Sequence, residues 1–260
     1  MGAMNHKETV QNQYRDASNL NTRISIHDKY SENKQGFGNW VVSHYDIKQD
    51  ARVLELGCGS GIIWVGQEAV IEKCAELVLT DFSEGMLVTA EKNVGQRANV
   101  TYKQVDIQQI PFEENSFDVV IANMMLYHVP DLRKGLSEVA RVLKPGGKFY
   151  CATGGEHGIV ERVAELLRPF GMEYRYELSF SLQNGREKLA HHFSSIEMRE
   201  YIDALAVTNA QDLVDYVFSG ITMAKTCSLP KEEVKRIFEQ NMIDGVLRLP
   251  KEVGMFVCEL

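Results

Sequence analysis

The chain has few cysteines and uses them in no recognisable pattern: Cys58, Cys74, Cys151, Cys227 and Cys258 are widely spaced and odd in number. Without a C-x-x-C pair, neither a disulfide framework nor a thiolate zinc site organises the fold, and a reducing, cytoplasmic setting is expected. No metal-ligand spacing of His, Cys, Asp and Glu stands out, so no metal is expected. Long apolar runs are also missing. No stretch approaches the roughly 20 residues of a membrane span, and neither Met1 nor Met4, the expected natural start, opens a leader-like sequence. Positive charge is scarce: 28 Lys and Arg stand against 36 Asp and Glu, a formal charge of −8. A nucleic-acid partner is therefore not expected, because phosphate binding draws on clustered cations. No repeat or low-complexity tract interrupts the 260 residues, which suffice for one large core without staples.

What is present centres on Val53–Gly61, which reads V-L-E-L-G-C-G-S-G. Strand-compatible residues run into a glycine cluster, and Ile62, Ile63, Val65 and Val70 follow at helical spacing. That order predicts a buried strand, a tight turn and a crossover helix over Ile62–Cys74. Glycines admit positive φ and let a ligand approach without meeting a Cβ, and a helix start supplies free N–H groups, so a nucleotide-like ligand is expected. Gly57, Gly59 and Gly61 give G-x-G-x-G, with Ile62 where a dinucleotide fingerprint has its last glycine. Glu55, two residues before the turn, would repel a pyrophosphate but suits an amine or a cation carrying no phosphate. S-adenosylmethionine, with its sulfonium, amino acid head, ribose and adenine, is such a ligand. The stretch resembles the first motif of class I S-adenosylmethionine-dependent methyltransferases. Under that resemblance Gly57–Gly61, including Cys58 and Ser60, back the methionine part of the cofactor, with Glu55 near its amino end.

The downstream residues extend the resemblance. Leu77–Thr80 predicts a second strand ending at Asp81, which suits the two ribose hydroxyls or a turn whose helix Ser83 caps. D-F-S-E-G-M-L is similar to the family's second motif, with Phe82 or Met86 against the adenine. Val100–Val105 predicts a third strand, and the resemblance implies that Asp106 at its end accepts from the adenine amino group while Ile107 packs on the ring. Phe117–Ala122 predicts a fourth, apolar as a doubly covered strand should be, and opens into Asn123-Met124-Met125-Leu126. That tetrapeptide departs from the N-P-P-Y pattern of adenine-amine methylating enzymes. The following L-Y-H-V-P-D resembles the small-molecule branch that includes the ubiquinone/menaquinone C-methyltransferases, and Asn123 and Met124 are expected at the cofactor. Leu132–Leu143 predicts a helix, and R-V-L-K-P-G-G-K-F a sharp stop before a fifth strand at Lys148–Thr153.

The flanks are less marked. Residues 7–45 predict two helical segments broken at Ser31–Gly38, a cap from which Tyr14, Arg23, His27, Tyr30 and Trp40 either face ligand or pack on the sheet. Beyond Gly154, helices are expected at Val160–Phe170, Ala210–Phe218 and Glu232–Asn241, with strands at Phe193–Tyr201 and Met255–Glu259. With this order of elements the resemblance implies an α/β, Rossmann-like fold: a seven-stranded, mostly parallel sheet with helices on both faces and an antiparallel last strand. The expected organisation is a cap (1–45), a cofactor-binding core (46–156) and a C-terminal part (157–260) that completes the sheet and carries an insertion of about forty residues for the substrate pocket. The resemblance implies methyl transfer by in-line displacement to a small molecule, leaving S-adenosylhomocysteine. His128 is a general base or a histidine bonded to backbone where the next helix begins; Tyr127 orients substrate or packs. A non-catalytic cofactor-binding protein and, less well, a nicotinamide-dependent oxidoreductase stand as alternatives.

Overall fold

The computed structural model describes residues 25–172, 178–219 and 227–260; Tyr14 and Arg23 lie outside them. Seven strands form one sheet: β1 (Ala51–Leu56), β2 (Cys74–Asp81), β3 (Val100–Gln104), β4 (Phe117–Ile121), β5 (Leu143–Gly154), β6 (Ser195–Val207) and β7 (Leu247–Glu259). Their order is β3-β2-β1-β4-β5-β7-β6. The first five pair in parallel, and β7 runs antiparallel to both β5 and β6, as the sequence predicts. The chain winds outward from β1 through β2 to β3, then returns to β4 on the other side of β1. The carboxyl ends of β1 and β4 therefore flank the crevice where an open α/β sheet takes its ligand.

Period-two alternation sorts the core. Leu54 and Leu56 of β1 pack with Leu136, Val139 and Val142 of α4 (Leu132–Val142) on one face. Val53 packs on the other face with α1 (Phe37–Ser43) and α3 (Glu84–Val94), through Trp40, Val41, Leu87 and Ala90. Glu55 has the same parity as Val53, so strand geometry drives a carboxylate into an apolar layer. Side-chain caps start two of these helices: Ser83 Oγ accepts from Met86 N at 3.4 Å, and Asp131 Oδ1 accepts from Lys134 N at 3.0 Å.

A short helix, α6 (Gly185–Leu189), precedes β6, and a third core lies beyond the end of β5. There Leu205 and Val207 of β6 and Leu247 and Leu249 of β7 meet α5 (Ile159–Leu167), α7 (Ala210–Ser219), α8 (Lys231–Gln240) and Ile26 and Tyr30 from a helical stretch at 25–30. The expected insertion occupies 208–246 between β6 and β7 and carries α7 and α8. One expectation fails. Ile62–Cys74 is not a continuous helix: a 3-10 turn at Ile62–Trp64 is followed by α2 (Glu68–Ile71), and β2 already begins at Cys74. Gly66, at φ 79°, takes the left-handed conformation that stops the first turn from propagating.

Candidate functional site

A cavity of about 880 Å³ opens along the carboxyl ends of β1, β2, β3 and β4, within the range of about 300–1,000 Å³ usual for ligand pockets. Its floor is the glycine turn. Cys58 N donates to Thr80 O at 2.8 Å, Gly59 N to Asp81 Oδ2 at 2.9 Å, and Asn93 Nδ2 to Ser60 O at 2.9 Å, so β2 and α3 fix the loop. Gly59 and Gly61 both hold positive φ, 56° and 69°, for different reasons. A Cβ on Gly61 would stand 2.9 Å from Val94 Cγ2, because the turn lies directly against α3; on Gly59 it would meet nothing within 4 Å, because that side is open. Gly61 accordingly stays behind the cavity wall, while Gly57, Cys58, Gly59 and Ser60 line it.

Two carboxylates flank this floor. Glu55 is 1% exposed, accepts from Trp64 Nε1 at 2.6 Å and bonds Asn123; burial pushes its pKa up to about 7, against those two hydrogen bonds. Asp81 receives Gly59 N on one oxygen and Ser83 N on the other (2.8 Å), and burial raises its pKa too. Among the described residues neither carboxylate forms an ion pair with Lys or Arg. Among the described residues these two acids thus have no counter-cation, which favours a cationic ligand. The broken segment after the turn adds a second constraint: the long helix N-terminus that would receive a pyrophosphate is replaced by a 3-10 turn.

Most of the other expected residues converge here. Phe82, Met86, Asp106, Ile107, Asn123, Met124, Tyr127 and His128 all line the cavity. Asp106 Oδ1 is held by Gln108 N at 2.9 Å. Met124 sits at φ 53°, an uncommon conformation for a side chain of its size, at the tip of β4. Tyr127 and His128 occupy a 3-10 turn with their rings 4.5 Å apart at 60°, and Tyr127 O accepts from Ser179 Oγ at 2.9 Å.

Of the cap candidates that fall within the described residues, only His27 reaches the cavity. Tyr30 is buried, with its hydroxyl bonded to Asp212, and Trp40 is enclosed by Phe37, His44 and Tyr201 with ring centroids 5.9, 4.6 and 5.3 Å away. Both pack rather than face ligand. Two residues of the site carry no sequence signal: Trp64, which anchors Glu55, and Tyr45, whose hydroxyl receives Asn123 Nδ2 at 2.6 Å. Among the described residues no group of His, Cys, Asp and Glu could hold a metal ion. No helix there is long and apolar enough to cross a membrane.

A methyltransferase domain model matches residues 54–151, the span from β1 to β5 that carries the turn and all three strand-tip acids. The demethylmenaquinone methyltransferase of Staphylococcus aureus is 30% identical over 146 residues, 56% of this chain; the chain spans 60% of the length of that relative. Phosphoethanolamine N-methyltransferase 2 of Haemonchus contortus, in complex with S-adenosyl-L-methionine, superposes with a TM-score of 0.61 at 20% identity, covering 100% of this chain and 60% of that one. An S-adenosylmethionine-dependent methyltransferase from Mesorhizobium loti gives 0.54 at 17% identity, covering 87% and 99%. At such identities the solved structures establish the fold.

Proposed function

From the premise that residues 54–151 form a methyltransferase domain on a class I S-adenosylmethionine-dependent methyltransferase fold, we propose that the protein methylates a small-molecule acceptor. The observation that carries the proposal is the pair of buried acids without a counter-cation, Glu55 and Asp81, on either side of an open positive-φ turn. S-adenosylmethionine, when bound, supplies a methyl group on a sulfonium that leaves as a neutral thioether. The chain's residues hold and shield. Glu55, oriented by Trp64 and Asn123, receives the ammonium of the amino acid head, and Asp81 accepts from the ribose hydroxyls while keeping the Gly59 amide. Phe82, Met86 and Ile107 sandwich the adenine, and Asp106 accepts from its amino group.

On the other wall, Tyr127 and His128 border the space left for the acceptor, with His128 positioned to take a proton if the nucleophile must lose one. The cavity, about 880 Å³, is bordered by His27, Ser31, Phe37 and Val41 together with Tyr216, Lys251 and Val253, which suits a small molecule rather than a polymer. Calorimetric titration with S-adenosylmethionine, S-adenosylhomocysteine and NADH tests the proposal. Micromolar binding of the two adenosyl compounds and none of NADH is expected; the reverse refutes it. Binding of neither also removes its support.

A further inference from the structure

The cavity has a second wall, contributed by residues remote in sequence from the strand tips: His27, Ser31, Tyr216, Lys251 and Val253. Its cation is already engaged. Lys251 Nζ donates to Ser31 Oγ at 2.9 Å and to Asp203 Oδ2 at 2.5 Å, and the ion pair is almost sealed from solvent. His27 is in a different position. Its ring lines the cavity and stands edge-on to Tyr216, with centroids 6.3 Å apart at 89°, but Nδ1 is buried with no hydrogen-bond partner among the described residues.

That orphaned nitrogen fixes what the ring can offer. A neutral imidazole carries one N–H. On Nδ1 the hydrogen would be a buried donor without an acceptor; on Nε2 it leaves only an unfilled lone pair, the cheaper of the two. Charging the ring would create the orphaned donor and add a cation beside Lys251. The surrounding groups are Lys251 on β7, Asp203 on β6, Tyr216 on α7, and Asp28 and Lys34 on the histidine's own segment. Burial first and Lys251 second lower the His27 pKa to about 4, with Asp203 opposing. At neutral pH the imidazole is therefore uncharged, with its proton on Nε2.

We propose that His27 is a positioning residue of the acceptor subsite, its Nε2–H donating to an oxygen of the methyl acceptor, which is thus an oxygen-bearing molecule such as a carbonyl or phenolic compound. This rests on the methyltransferase reading of the same cavity. His27 acts as a fixed donor, not as a base, so no ionisation of its own enters a pH–rate profile between about pH 5.5 and 8.

The test uses the full chain labelled with ¹⁵N-histidine and saturated with S-adenosylhomocysteine, in wild-type, His27→Leu and His27→Gln forms. Long-range ¹H–¹⁵N spectra should report a neutral Nε2–H tautomer across that range. Acetophenone should move the Nε2 resonance, and ethylbenzene, which lacks the oxygen, should not. Affinity for acetophenone should fall about 2- to 12-fold in His27→Leu and recover in His27→Gln, whose amide keeps a donor. An Nδ1–H tautomer, an imidazolium titrating near the ordinary value of about 6.5, or an equal response to the two probes (binding of neither included) overturns the assignment. Failure of S-adenosylhomocysteine to bind the wild type counts instead against the methyltransferase reading, and the tautomer is then read in the ligand-free protein.

Discussion

Acid should weaken cofactor binding through one residue. Glu55 is held near pKa 7 because β1 turns it into an apolar layer, yet the proposed role requires its ionised form. The ligand's amino group titrates from the other side, near the usual α-amino value of about 7.8. The apparent Kd is the intrinsic Kd divided by the fraction of protein and ligand in the competent forms. Relative to about pH 7.4, S-adenosylmethionine should bind about 6-fold more weakly at pH 6.0 and about 17-fold more weakly at pH 5.5, and about 9-fold more weakly at pH 9. Calorimetry in two buffers of different ionisation enthalpy should register close to one proton released per cofactor bound at pH 6. In Glu55→Gln the acid limb should vanish and the alkaline limb remain. The same substitution should act oppositely on stability. Because the folded pKa lies above the ordinary 4.5, the penalty is absent below about pH 4.5, grows through the interval and is complete above about pH 7, where it reaches about 3 kcal/mol. Glu55→Gln should therefore raise the melting temperature of the ligand-free protein at pH 8. A flat affinity from pH 5.5 to 7.4 with no proton release would refute the reasoning.

Three further expectations concern the turn, the carboxylate that holds it and the buried ion pair of the second wall. Asp81→Ala should weaken S-adenosylhomocysteine binding about 10- to 150-fold by calorimetry and speed hydrogen exchange at the Gly59 amide, because one carboxylate serves loop and ligand. Gly61→Ala should cost about 2–4 kcal/mol in urea unfolding, combining overpacking against Val94 with an unfavourable φ; Gly59→Ala should cost only about 1–2 kcal/mol but should lose more cofactor affinity, since its methyl enters the open side. Lys251→Met should destabilise by about 3–5 kcal/mol by leaving Asp203 buried and unpaired, while the double variant Lys251→Met, Asp203→Leu should recover most of that in the same assay.

Strand tips were legible in the sequence because each couples a local apolar run to one polar residue at its end. Asp81, Asp106 and Asn123 could be located by that pattern, and all three arrive at the cavity. The seven-stranded, mostly parallel sheet and its antiparallel last strand followed from the resemblance, whereas the order of the strands is visible only in the fold. The one helix that failed did so for a local reason, and the cap residues left open between ligand and packing were decided by contacts between distant segments. Ile62–Cys74 has helical spacing, but Gly66 and the early start of β2 leave room for only four α-helical residues. Tyr30 and Trp40 have the composition of a ligand-facing cap, and each is enclosed by partners more than 150 residues away, Asp212 and Tyr201. Trp64 reads as one more apolar residue until the strand parity that buries Glu55 gives its indole N–H a carboxylate. The wall formed by His27, Tyr216 and Lys251 joins three separate parts of the chain, and no local pattern announces it.

The placement of β7 also sets an order of assembly. β1 to β5 can pair as they are made, each finding a parallel neighbour already present or soon to follow. β6 cannot: among the described residues its only strand neighbour is β7, which lies on the far side of residues 208–246. At translation rates of about 5–20 residues per second, β6 waits about 2–8 s with the edge that will meet β7 open. During that interval Ile202 and Met198, still exposed in the finished protein, belong to a strand that any other unpaired edge could capture. Charged neighbours at Glu197, Arg199, Glu200 and Asp203 are well placed to keep it soluble until its partner arrives.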